Sequence, residues 1–180
     1  MMAHVSIPLS RRGQVELFHV MELLKAANQR AGTHGDVITM CAGQPSTPAP
    51  VAVREAAGRA LASGATHGYT DAMGVAALRE AIAEHYQHAY GVPVDPAAVA
   101  VTTGSSAAFT AIFLAAFDVG DTVLMPRPGY PAYRNSLLAL GCKAVELDCG
   151  PQERFQPTVD QLLSWSEANG GPPRGLIIAS

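Results

Sequence analysis

The stretch V-T-T-G-S-S-A-A-F, residues 101–109, decides the fold. Three β-branched residues give way to a glycine, two serines and a run of small side chains. β-branched residues fit a pleated strand, glycine permits a sharp turn, and serine is favoured where a helix starts. The stretch therefore predicts a strand over 99–103 and a helix from about 105. The joint between them admits two readings. It is a plain turn with a serine cap, or it leaves the unpaired amides of a first helical turn facing an anion.

Working outward, the same alternation repeats. T-V-L-M-P (122–126), K-A-V-E-L-D (143–148) and G-L-I-I-A-S (175–180) are short β-rich runs, separated by helical stretches near 105–117, 131–140 and 158–169. Strands alternating with such helices indicate βαβ units and an α/β fold: a three-layer αβα arrangement with a mostly parallel sheet. D-V-G-D (118–121) and L-G-C (140–142) are connections of the expected short length. The final strand has no return helix, and parallel sheets need both faces covered. The chain is therefore expected to be truncated, the first part of a longer protein.

Upstream, residues 15–31 predict a helix with Phe18, Met21 and Leu24 near one stripe, stopped by Gly32. D-V-I-T-M-C-A-G (36–43) reads as a short extended piece, and G-Q-P-S-T-P-A-P (43–50) as a proline-punctuated loop. Two more helices are expected, over 51–64 and 75–91, each closed by glycine.

Composition narrows the function classes. Of 180 residues 48% are hydrophobic and 15% charged, with a net charge of −3. A core-rich, weakly acidic chain without Lys/Arg runs offers no nucleic-acid surface. The longest apolar stretch, 107–117, is far short of the roughly 20 residues that span a bilayer, so no membrane partner is expected. Cys41, Cys142 and Cys149 are scattered without a C-x-x-C pair, which fits reduced thiols in a cytoplasmic protein. His85 and His88 lie one helical turn apart with no third ligand in view, so no metal site is expected.

Four places could carry chemistry. Gly104, Ser105 and Ser106 stand where a phosphate could dock on a helix N-terminus, at the carboxyl end of a strand. They are neither a dinucleotide fingerprint nor a Walker loop, since no G-x-G-x-x-G or G-K-[ST] follows. P-R-P-G-Y-P-A-Y (126–133) holds Tyr130 beyond the next strand, where its ring could stack on a planar heterocycle or simply pack in a turn. H-G-Y-T-D-A-M-G contains Tyr69, and C-A-G-Q-P contains Gly43.

Taken together and in order, these motifs carry a resemblance. A-G-Q-P…P at 42–50, Y-T-D-A-M-G…L-R-E-A-I at 69–82, Y-G-V-P-V-D-P at 90–96, V-T-T-G-S-S-A at 101–107, G-D-T-V at 120–123 and P-G-Y-P-A-Y at 128–133 are similar to the class I/II aminotransferases. These are fold-type-I enzymes that use pyridoxal 5′-phosphate (PLP). The resemblance implies that Gly104, Ser105 and Ser106 hold the cofactor phosphate and that Tyr130 stacks on its pyridine ring, where many relatives have Trp or Phe. It implies that Tyr69 reaches the phosphate of a partner subunit in a homodimer, and that Gly43 lies beside the substrate carboxylate. Residues 1–48 would form the N-terminal arm and part of the small domain, and 49–180 the first part of the large PLP-binding domain.

The expected reaction moves an amino group between an amino acid and a 2-oxo acid. It needs a Schiff-base lysine, and neither Lys25 nor Lys143 matches the family's, which lies downstream. The 180 residues are thus expected to lack turnover of their own. Alternatives on the same scaffold are a PLP-dependent lyase or decarboxylase and a non-catalytic regulatory protein, the latter disfavoured by the absence of a basic region ahead of residue 36. A nucleotide-binding domain would want an acidic residue after the next strand, but Asp118 and Asp121 precede it.

Overall fold

The computed structural model describes residues 7–41, 43, 45–64 and 68–179. These residues contain helices α1 (His19–His34), α2 (Val51–Ala62), α3 (Ala76–Tyr90), α4 (Ser105–Ala116), α5 (Pro131–Leu140) and α6 (Val159–Ala168). Between the later helices run strands β1 (Thr122–Arg127), β2 (Lys143–Asp148) and β3 (Gly175–Leu176). The chain divides into two compact units. One comprises the described parts of Met1–His19 and Thr103–Ser180, the other Val20–Thr102.

The first unit is a parallel sheet flanked by helices. Its strand order is β2-β1-β3, with Thr122 opposite Lys143 and Arg127 opposite Asp148, and with Val123 opposite Gly175 on the other flank. The connection from β1 to β2 steps one way across the sheet, and that from β2 to β3 steps back past β1. Because crossovers between parallel strands are right-handed, the two steps place α5 and α6 on opposite faces. Three layers follow from the order of strands alone.

Burial on β1 is continuous instead of alternating, as expected for a central strand covered on both sides. Val123 and Met125 share a face and pack with Phe113 of α4, Leu137 of α5 and Cys142. Leu124, on the opposite face, is fully buried as well.

Local chemistry sets the helix ends. Pro131 opens α5, where its missing N–H costs nothing. Gly141 closes it in the left-handed region at φ 86°, with its amide on Leu138 O and that of Cys142 on Leu137 O. Thr158 and Gln161 form a reciprocal capping box at the start of α6.

In the second unit, Gly74 adopts φ +95° and lies against Val101, while the Val101 amide bonds Met73 O at 3.0 Å. No described residue of α1 or α2 is buried.

Three sequence expectations need correction. Residues 99–102 form no ladder and are not a strand, because β composition does not supply a pairing partner and, among the described residues, the sheet is made by β1–β3. The described residues of 36–43 are likewise unpaired. The first helix begins at His19, so Phe18 lies ahead of it instead of on a stripe with Met21 and Leu24.

Candidate functional site

Gly104 is the N-cap of α4, with φ 85° and ψ 168°. A Cβ built there would meet nothing within 4 Å. Glycine is therefore demanded by the backbone conformation, which L side chains rarely adopt, and not by crowding. No side chain caps this helix, so the reading in which Ser105 is merely a cap does not describe it. Ser105 and Ser106 are instead its first two residues, both exposed. The Ala108 amide bonds Gly104 O at 3.5 Å. The open space over Gly104, the two hydroxyls and the positive end of α4 form a donor set suited to a phosphate.

Tyr130 follows β1 through a short loop. The Arg127–Pro128 bond is cis, and a Cβ on Gly129 would sit 2.5 Å from Pro126 O, so a side chain there is forbidden. At the same end of the sheet, Arg127 Nε donates to Asp148 Oδ1 at 2.6 Å, joining the last residues of β1 and β2.

The Tyr130 ring is about half exposed and meets two rings edge-on. Tyr133 lies 5.3 Å away at 82°, and Phe18 6.4 Å away at 86°. Tyr133 in turn meets Phe109, one turn into α4, at 4.7 Å and 83°. The structure thus links Tyr130 to the helix that starts at Gly104 through one intervening ring.

Tyr69 and Gly43 belong to the other unit. Tyr69 is fully exposed, and a Cβ on Gly43 would find nothing within 4 Å. Lys143 is exposed at the first residue of β2, paired with Thr122. Six residues of strand, about 16 Å at 3.3 Å per step, separate that end of the sheet from the Tyr130 end. Lys25 lies in α1 of the second unit. The residues present suit a phosphate and a flat ring, and Lys143 stands at the opposite end of the sheet from the ring.

Sequence reading missed Glu16, Phe18 and Arg134. Arg134 Nη1 donates to Glu16 Oε2 at 2.7 Å, and this guanidinium holds the Glu16 carboxyl below its ordinary pKa. Tyr133 had a usable signal, its i, i+3 spacing from Tyr130.

His85 meets the rings of Tyr86 and Tyr90, and His88 Nδ1 lies 2.9 Å from Glu84 O. The described residues contain no group of three or more His, Cys, Asp or Glu that could hold a metal ion. No described helix is long and apolar enough to cross a membrane.

Comparison with known proteins identifies a family. Residues 35–180 match the family described as aminotransferase class I and II. A valine–pyruvate aminotransferase of Mycobacterium tuberculosis is 51% identical over 170 residues, covering 94% of this chain and 42% of that protein. An aspartate aminotransferase of Pyrococcus horikoshii is 33% identical over 135 residues, covering 75% of this chain and 34% of that protein. Among solved structures, an aminotransferase from Mycobacterium tuberculosis superposes with a TM-score of 0.88 at 48% identity, covering 97% of this chain and 44% of that one. The chain spans less than half the length of these relatives.

Proposed function

The chain belongs to the aminotransferase class I and II family, and from that premise we propose that it forms the cofactor-phosphate part of a PLP-dependent aminotransferase. The observation that carries this reading is the positive-φ glycine with open space over it at the start of α4, joined through Phe109 and Tyr133 to the half-exposed ring of Tyr130.

Each residue then has a task. Gly104 lets the phosphate approach the backbone, and the amides of the first turn donate to it together with the Ser105 and Ser106 hydroxyls. Tyr130 lies against the pyridine ring and fixes its plane. Gly43 lies beside the substrate carboxylate. Tyr69, fully exposed in this chain, reaches the phosphate of a partner subunit in a homodimer. PLP, when bound, supplies the carbonyl and electron sink that let an amino group pass between an amino acid and a 2-oxo acid. Residues 1–48 serve as the arm and part of the small domain, and 49–180 open the large domain. The 51% identity with a valine–pyruvate aminotransferase supports an aliphatic amino donor and pyruvate. Three free thiols support a reducing, cytoplasmic setting.

The test uses the complete protein. It is expected to take up PLP stoichiometrically and to convert valine and pyruvate into alanine and the branched 2-oxo acid. Borohydride is expected to fix the cofactor to a lysine outside residues 1–180. Labelling of Lys25 or Lys143 with accompanying turnover overturns that assignment, and release of ammonia or carbon dioxide in place of alanine overturns the reaction class.

A further inference from the structure

The segment ahead of α1 is fastened along α5 at two points. Besides the Arg134–Glu16 ion pair at 2.7 Å, Asn135 Nδ2 donates to the Glu16 carbonyl oxygen at 3.3 Å. One bond holds the Glu16 side chain and the other its backbone, so together they oppose sliding and turning of the segment on the helix. Two residues on, Phe18 reaches the ring of Tyr130. Arg134 and Asn135 stand one turn beyond Tyr130 on the same helix, so the fastening and the ring contact act on one short stretch of backbone.

Tyr130 therefore has two perpendicular neighbours of different origin. Tyr133 comes from its own helix, whereas Phe18 comes from the far N-terminal segment. A half-exposed phenol ring with one neighbour can pivot about its side-chain torsions, and a second edge-on ring removes that freedom. A ring already held at the right tilt loses less entropy when a planar ligand stacks on it.

We propose that residues 15–18 form a strap in which Glu16 fixes the register and Phe18 sets the tilt of Tyr130, making both positioning residues for the ring that stacks on the cofactor. This rests on the reading of Tyr130 given under the proposed function. Neither residue is catalytic, because Phe18 acts through Tyr130 and Glu16 acts through Phe18.

PLP binding to the complete protein tests the strap, followed by visible absorbance and by the induced circular dichroism of the bound cofactor. Phe18→Leu is expected to weaken PLP binding about two- to tenfold, the range of one aromatic pair, and to diminish the dichroism band. Glu16→Arg is expected to do the same, and adding Arg134→Glu to restore both readouts. This charge-exchanged pair keeps the test open if Phe18→Leu fails to fold. In a Tyr130→Leu background, Phe18→Leu is expected to have no further effect on PLP. Equal losses with and without Tyr130, or no rescue by the exchanged pair, overturn the strap. A wild-type protein that takes up no PLP overturns the functional reading instead.

Discussion

Gly175 packs against the edge of Phe117 so closely that a Cβ on the glycine would lie 2.6 Å from both Cε1 and Cζ of the ring. The contact fastens the first residue of β3 to the residue that ends α4. It explains why a two-residue strand begins with a residue of poor strand propensity.

Gly175→Ala in the complete protein is accordingly expected to destabilise by about 1–3 kcal/mol, the cost of overpacking a filled site. Urea denaturation would show a lower midpoint with an unchanged slope. An unchanged midpoint would mean that Phe117 swings away freely.

Gly74 raises the same question with an added constraint, since its φ is +95° and its Cβ would sit 2.7 Å from Val101 Cβ. Gly74→Ala combines a backbone cost of about 1–2 kcal/mol with the collision. Val101→Gly introduced into that background removes both the Cβ and the Cγ2 in the way, and is expected to relieve the collision and leave the backbone cost, read against Val101→Gly alone. Thermal midpoints of these variants separate the contributions.

At α4 the expected behaviour is the reverse. Gly104→Ala meets open space, so its stability cost is the backbone part, about 1–3 kcal/mol. Ser106→Ala removes a single hydroxyl that touches no core residue. It is expected to leave the apo midpoint in place and to weaken PLP about tenfold or more, the worth of a hydrogen bond to a charged group. Equal PLP affinity in Ser106→Ala and the parent would remove that hydroxyl from the phosphate site.

The thiols differ in access. Burial, then the nearby Asp121 and Asp118 carboxylates, raises the pKa of Cys142. The folded state therefore keeps a proton that the unfolded thiol loses. The resulting stability is complete below the unfolded thiol's pKa, about 8.5, and is lost as pH rises through the folded value. Urea midpoints measured above that pH are expected to fall less in Cys142→Val than in the parent. Iodoacetamide is expected to label the partly exposed Cys41 well before the buried Cys142 and Cys149.

The helices from α2 onward were legible in the sequence because local signals fix their limits. Proline and glycine bracket α5, and a Thr/Gln pair opens α6. Strands were legible only where a partner exists. V-A-V-T-T has the composition of β1 but no ladder, and pairing is a property of two segments, not one. The start of α4 could be read from Gly104 and its serines, since a glycine followed by serines ahead of a helix is a local signal. The Phe18–Tyr130 and Glu16–Arg134 contacts could not, because the ion pair joins residues 118 positions apart. An apolar residue just ahead of a helix looks the same whether it packs on that helix or elsewhere.

The order of strands also sets a timetable for synthesis. β1 lies between β2 and β3, and its second flank is closed only by bonds such as Arg174 N–H to Thr122 O and Ile177 N–H to Leu124 O. A nascent chain halted before residue 174 would carry its most apolar strand with one side bare, open to any other extended segment within reach. A ribosome pausing in the β2–β3 interval would thus leave that flank of β1 unpaired until Arg174 and Ile177 arrive.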